Sequence, residues 1–249
     1  MKKYTEQEMQ ILKDQYHQSS KDELLTLLNP HSWSSIKDKA KKLGLCRKKL
    51  RNSKISLLLP NTLFNCYWWG FILSDGHISD RGELVIQLHE QDKKHLLKIS
   101  NYIDKDIQYL RSKNMVRLTN MDIINSEKLK HKLGIKKKKT YNPPDNFDFL
   151  QNKEERIAFL IGFIDGDGSI SYRKGSFQSI RIIVHENWFN VLNNFCNKLV
   201  DDFSILKFTV SYNKRKNTQV CLHGINRYKF LKDFIISNKI PSLERKWKI

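Results

Sequence analysis

The chain has 249 residues and carries 45 Lys and Arg against 26 Asp and Glu, a formal net charge of +19. Hydrophobic residues make up 39% of it, enough for packed cores, and the length suits one large domain or two to three small ones. No uninterrupted apolar stretch of about 18 residues occurs, so no membrane span is expected, and the charge surplus points to a polyanionic partner.

The first elements read as helices. Thr5-Glu6-Gln7-Glu8 looks like a capping box with an acidic first turn, opening a helix with Met9, Leu12 and Tyr16 near one face. Ser20-Lys21-Asp22-Glu23 repeats the pattern, Leu24, Leu25, Leu27 and Leu28 supply a short second helix, and Asn29-Pro30 breaks it. Ser32 or Ser34 starts a third, with Ile36, Ala40 and Leu43 on one face and Gly44 at its end. Three short helices around Trp33 make a small trihelical domain over residues 1–46. It resembles Myb-like and helix-turn-helix DNA-binding modules, with Tyr4 where a tryptophan is more usual. The resemblance implies that the third helix enters a major groove, which makes Ser34, Lys37, Lys41 and Lys42 candidate contacts. Residues 47–58 come next as a basic linker in which Arg47 is a further candidate; tethering two readers raises the effective concentration of each.

Two later segments carry one pattern. Tyr67-Trp68-Trp69-Gly70-Phe71-Ile72-Leu73-Ser74-Asp75-Gly76 is an apolar run with small residues at Gly70 and Ser74. Phe159-Leu160-Ile161-Gly162-Phe163-Ile164-Asp165-Gly166-Asp167-Gly168 repeats it with Gly162 and Gly166. As helices, each places its two small residues on one face, which permits close packing of the pair. Asp75 and Asp167 then emerge together at the two C-terminal ends. A carboxylate there faces the negative end of the helix dipole. Two such carboxylates suggest a site for a hard divalent cation. Gly76 and Gly168 suit a left-handed helix stop leading into a strand.

The elements after each of these segments also repeat, about ninety residues apart. After the first come a strand over 83–88 ending in His89-Glu90-Gln91-Asp92, a helix over 93–103, strands over 107–111 and 115–119, and a helix over 122–133. After the second come a strand over 179–184 ending in His185-Glu186-Asn187, a helix over 188–200, strands over 205–212 and 218–223, and a helix over 226–237. The strands alternate: Leu84, Ile86 and Leu88 oppose Val85 and Gln87, while Leu206, Phe208, Val210 and Tyr212 oppose Lys207, Thr209 and Ser211. One sheet face should be core and the other polar and often basic. Residues 59–140 form the first half, 141–149 a connector around Pro143-Pro144, and 150–249 the second half.

At these residues the chain resembles the LAGLIDADG homing endonucleases. Leu160 to Gly168 matches the nine-residue motif closely, while Trp68 to Gly76 is looser, with Leu73 where the motif has its first acid. The resemblance implies an α+β fold of two pseudo-twofold-related α-β-β-α-β-β-α halves with antiparallel saddle sheets, behind the trihelical domain. It implies a monomeric, site-specific endonuclease that hydrolyses both strands of a long asymmetric duplex using Mg²⁺, with Mn²⁺ as the alternative. The second acid of each motif copy carries over as metal ligand and catalytic group, Asp75 and Asp167, with the adjoining Gly76 and Gly168 as metal-binding positions. Lys138-Lys139 aligns with Arg245-Lys246, so Lys139 and Lys246 become candidate cations for charge on the phosphate; a plain linker charge run is the other reading.

On a saddle of strands in the major groove, the candidate DNA contacts are Gln87, Arg117, Arg173, Arg181, Lys207, Thr209 and Gln219, with Arg81, Lys214 and Arg215 at hairpin tips for phosphates. A maturase binding its own intron RNA and a non-catalytic DNA-binding regulator are the alternatives on the same fold. The four cysteines, Cys46, Cys66, Cys196 and Cys221, form no Cys-x-x-Cys pair, so zinc and a disulfide framework are unsupported. Reduced cysteines, and no apolar signal region after Met1 to Glu6, lead us to expect a cytoplasmic protein, with an organelle as the alternative.

Overall fold

The computed structural model describes residues 4–16, 19, 21–45 and 54–248. Contacts divide the chain into two units, Met1–Leu50 and Arg51–Ile249. Arg47 and Ser20 lie outside the described residues.

In the first unit, α1 (Glu6–Gln15), α2 (Lys21–Leu27) and α3 (Trp33–Lys42) enclose Leu12, Tyr16, Leu24, Leu28, Ile36 and Ala40. Thr5 and Glu8 cap α1 reciprocally. Ser32, not Ser34, caps α3: its hydroxyl accepts from the Ser35 amide. Tyr4 stacks on His31 with centroids 3.8 Å apart, and its hydroxyl meets that of Ser35 at 3.3 Å.

The second unit runs α4 (Leu63–Ser74), β1 (Gly76–Ile78), β2 (Leu84–His89), α5 (Lys93–Tyr102), β3 (Ile107–Leu110), β4 (Met115–Asn120) and α6 (Ile123–Lys132). It then repeats the order as α7 (Lys153–Asp167), β5 (Gly168–Arg173), β6 (Ser176–Val184), α8 (Phe189–Asp202), β7 (Phe208–Tyr212), β8 (Thr218–His223) and α9 (Ile225–Ser237), closing with a short α10 (Glu244–Trp247). Each half holds one four-stranded sheet, ordered β1-β2-β4-β3 and β5-β6-β8-β7, and every neighbouring pair is antiparallel. The fold is α+β. Among the described residues no helix is long and apolar enough to cross a membrane.

α4 and α7 form the centre. Every residue from Asn65 to Ser74 is buried, as is almost all of α7 from Ile157 to Asp165. Helices apolar on all sides belong in a core. Their small residues permit near contact of the two backbones: a Cβ on Gly70 would fall 2.1 Å from the Phe159 carbonyl oxygen, and one on Gly162 would fall 1.9 Å from that of Tyr67. A Cβ on Gly166 would fall as close, 1.9 Å, to the Ser74 hydroxyl oxygen.

Several expectations need correction. Gly76 and Gly168 are not left-handed; Gly168 has φ −83° and ψ 158°. Glycine is required there because a Cβ would strike Ile72 backbone atoms at 2.7 Å and the Ile164 carbonyl at 2.6 Å. Residues 55–58, read as part of a basic linker, form a 3-10 turn whose Ile55 and Leu58 are buried in the core of the second unit. The strand expected from 205 starts only at Phe208, so Lys207 precedes it. Tyr212, expected inward at the end of that strand, is 56% exposed and stacks on Phe189 instead.

Candidate active site

Asp75 is the C-cap of α4 and Asp167 the last residue of α7. Both side chains reach solvent. Each helix end is closed by a lysine from far along the chain. Lys139 Nζ donates to the carbonyls of Ile72 (3.1 Å), Leu73 (2.8 Å), Ser74 (2.6 Å) and Gly76 (2.5 Å). Lys246 Nζ does the same at α7, to Ile164 (3.0 Å), Asp165 (2.6 Å), Gly166 (3.3 Å) and Gly168 (2.7 Å). The last carbonyls of a helix lack intrahelical partners, and a cation suits the negative pole. Lys138, at φ 53°, turns the chain immediately before Lys139. The matching of these two lysines bears on the sequence alignment of Lys138-Lys139 with Arg245-Lys246: the pair occupies equivalent places.

The four groups share one electrostatic field. Desolvation raises the Asp75 carboxyl above its ordinary range, opposed by Lys246 and Lys139, with a smaller push from Asp92. Desolvation also raises Asp167, and the charge of Asp75 adds to it, while Lys139 and Lys246 offset part. Burial lowers Lys139 to about 8 against the pull of Asp167 and Asp75; burial also lowers Lys246 below its ordinary value, against the pull of Asp165 and, less, of Asp75 and Asp167. A cleft of about 470 Å³ opens beside Asp75, lined by Gly76, His77, Lys136, Lys138 and Lys139 among others.

The donor set suits a hard cation of the Mg²⁺ kind. Two carboxylates stand where helix dipoles and mutual repulsion make an unneutralised pair unfavourable, and Mg²⁺ is commonly held by one or two carboxylates plus substrate phosphate oxygens. Among the described residues no group of three or more His, Cys, Asp or Glu converges to form an all-protein cage. The carbonyls of Gly76 and Gly168 lie at the same helix ends but already accept from lysine.

The outer faces of the two sheets gather five of the strand candidates. Gln87 and Arg117 are cross-strand partners on the first, and Arg117 Nε and Nη2 donate to Gln87 Oε1 at 3.1 and 2.9 Å. Gln108, which pairs with Arg117, is exposed on the same row, a place that sequence reasoning missed. On the second sheet Arg181, Cys221 and Thr209 form one row, with Gln219 in the next, and Gln219 Nε2 contacts Cys221 Sγ at 3.0 Å. Arg173 ends β5, and Arg81, Lys214 and Arg215 lie in the exposed turns β1–β2 and β7–β8. Ser34, Lys37, Lys41 and Lys42 are exposed on α3 in the first unit.

A buried polar chain adds to the residues that the sequence pointed to. Asp165 is 2% exposed; its Oδ2 accepts from the Tyr67 hydroxyl (2.8 Å) and the Leu243 amide (2.7 Å), and its Oδ1 from Trp247 Nε1 (2.8 Å). Tyr67 also meets His95 Nε2 at 2.9 Å. Burial raises Asp165 to about 6 and lowers His95 to about 3. In the first half Leu73 stands at the position of Asp165 and is simply core. The only signal in the sequence is Asp165 within the motif; its partners are 78 to 98 positions away.

No family model matches the chain, and no curated protein matches it. Among solved structures, mesophilic variants of the homing endonuclease I-DmoI are similar at 16% identity and a TM-score of 0.48, covering 73% of this chain and 91% of that one. The LAGLIDADG meganuclease I-AabMI bound to uncleaved DNA is similar at 16% and 0.45, covering 75% and 88%. The N-terminal LAGLIDADG domain of DUF199/WhiA gives 15% and 0.46, covering 76% and 85%. At these values the likenesses decide nothing about activity.

Proposed function

We propose that this protein is a site-specific, divalent-metal-dependent endonuclease of double-stranded DNA. The observation that carries the reading is the pair of carboxylates, Asp75 and Asp167, at the matched ends of two closely packed helices, each end closed by its own lysine. A net charge of +19 and two outer sheet faces with Gln, Thr and Arg side chains support a duplex as the partner. Asp75 and Asp167 would hold Mg²⁺, which when bound lowers the pKa of water and neutralises phosphate charge. The chain's own contribution is placement. The α4–α7 contact sets the two carboxylates side by side, so that one duplex can present a phosphate of each strand. Lys139 and Lys246 spend their hydrogen bonds on carbonyls, so they act on the phosphate through their field and by fixing the helix ends, rather than by direct contact. Arg117, Gln87, Gln108, Arg181, Thr209 and Gln219 would read base edges, while the turn residues Arg81, Lys214 and Arg215 would meet phosphates. α3, with Lys37, Lys41 and Lys42, would supply a second DNA contact.

The test is cleavage of a randomised duplex library by the full chain in Mg²⁺, with sequencing of the ends. Cuts clustered at one long site, absent in EDTA, support the reading. Tight duplex binding without cleavage in Mg²⁺ or Mn²⁺ favours a non-catalytic regulator, and preference for a structured intron RNA favours a maturase.

A further inference from the structure

Each lysine-bearing strap is tied to the half of the fold that it does not cap, in addition to the half that it does. The strap over residues 136–142 carries Lys139, which closes α4 in the first half. Besides an exposed pair of Lys137 with Asp80 in that half, it is anchored by the second: Trp188 Nε1 donates to the Thr140 carbonyl at 2.9 Å and Asn187 Nδ2 to that of Tyr141 at 2.7 Å, with the His185 ring edge-on to Tyr141. The strap over residues 242–247 carries Lys246, which closes α7 in the second half. Within that half Asp165 accepts from the Leu243 amide and the Trp247 indole, the Tyr172 hydroxyl lies 3.1 Å from the Lys246 carbonyl and the Tyr228 hydroxyl donates to that of Trp247 at 2.6 Å. From the first half Lys98 Nζ donates to the Ser242 carbonyl at 3.0 Å and to Glu244 at 3.1 Å. The strongest anchor is a fork, Arg245 Nε and Nη2 on Asp92 Oδ1 and Oδ2 at 2.6 and 2.8 Å.

The two anchorages differ in kind. Across the halves the first strap is held by uncharged hydrogen bonds to its backbone; its ion pairs, Lys137 with Asp80 and Lys136 with Asp145, are exposed and do not reach the second half. The second depends on a bidentate ion pair, which is shorter, stronger and directional. Asp92 is 7% exposed, so removing its partner leaves a carboxylate with little access to water. Arg245 adjoins Lys246, and the charge of Asp92 is felt at Asp75. The field of Lys246 reaches both Asp75 and Asp167, but its hydrogen bonds reach only the end of α7. Displacing Lys246 therefore alters geometry at Asp167 and only a longer-range field at Asp75.

We infer that Asp92, carried by the first half, is a positioning residue for the Asp167 centre in the second, acting through Arg245 on Lys246. This rests on the endonuclease reading. It makes the two centres unequal in what crosses between the halves: an ion pair for one, neutral hydrogen bonds for the other.

The test uses full-length Arg245→Met and Asp92→Asn with a duplex labelled differently on each strand. Cleavage of one strand should slow about tenfold or more, as for lost outer-shell partners of a metal site, while the other stays within about twofold. Nicked duplex should accumulate, kcat should fall with KM unchanged, and the double variant should be no slower than the slower single one. Arg245→Lys, which keeps the charge without the fork, should be intermediate. Equal slowing of both strands, or no slowing, overturns the inference. A second readout is independent of cleavage: amide exchange over 243–247 should accelerate in Arg245→Met while that over 138–141 does not. Equal acceleration of both straps, or of neither, overturns it too. A wild type that cuts no duplex removes the endonuclease reading instead, and the exchange result then decides whether Asp92 holds the strap.

Discussion

At the scale of single residues, the two lysines and the buried polar chain do what no local pattern announces. Lys139 and Lys246 each satisfy four carbonyls at a helix end. Lys139→Met leaves those acceptors short of partners, so urea unfolding should show a loss of about 1–3 kcal/mol. An unchanged midpoint would mean that water replaces the ammonium freely. His95 sets a pH dependence. Burial among Trp68, Phe71 and Tyr67 holds it near 3, against 6.5 when free. Below about 6.5 the unfolded chain takes up a proton that the folded chain refuses until about 3. The associated stability is complete above 6.5 and disappears as pH falls through that window. His95→Phe should flatten the fall in stability between those limits; a slope as steep as wild type would assign the acid sensitivity elsewhere. Asp75 and Asp167 can be named from the sequence because Asp-Gly closes two matched apolar runs. The Asp92–Arg245 fork cannot, because its members are 153 positions apart. A partial trace does exist: His89 and His185, which mark the repeat, cap the turns that carry Asp92 and Asn187.

At the scale of elements, the α4–α7 contact decides where the carboxylates sit. Gly162→Ala would drive a Cβ into the Tyr67 carbonyl, which is backbone and cannot yield without moving a helix. Overpacking typically costs about 1–3 kcal/mol, occasionally more, and a clash this close should reach the upper end. Gly166→Ala differs, since its obstacle is the Ser74 side chain. Adding Ser74→Gly should recover a good part of that loss, whereas adding it to Gly162→Ala should recover nothing; thermal unfolding of the two single and two double variants checks both. The helices and most strands are legible because periodicity 3.6 and alternation 2 are local properties. The sheet order β1-β2-β4-β3 is not, because a parallel or sequential arrangement would satisfy the same alternation. The start of β7 is misplaced by alternation because Leu206 is buried in the approach to the strand rather than within it. Residues 55–58 escape a sequence reading because the basic residues before them hide the apolar pair Ile55 and Leu58.

At the scale of the molecule, the repeat is the most legible feature of all: two halves with one strand order, differing at Leu73 against Asp165 and in how their straps are held. A basic chain that neutralises phosphates should bind duplex with a steep salt dependence, losing about 10³–10⁵ in affinity between 50 and 200 mM salt for about 6–10 phosphate contacts. Replacing Lys37, Lys41 and Lys42 by Ala together should reduce the slope by about two to three units if α3 lies on DNA. An unchanged slope would leave the first unit off the duplex.

The most direct measurement is plasmid cleavage at the selected site by Asp75→Asn and Asp167→Asn, each alone, beside the wild type. Each variant should lose double-strand breakage in Mg²⁺ while its duplex affinity stays within about threefold, because Asn keeps the shape of the side chain and removes the charge that holds a cation. Retained double-strand breakage by either variant would contradict the assignment of the two helix-end carboxylates as the centre of the site.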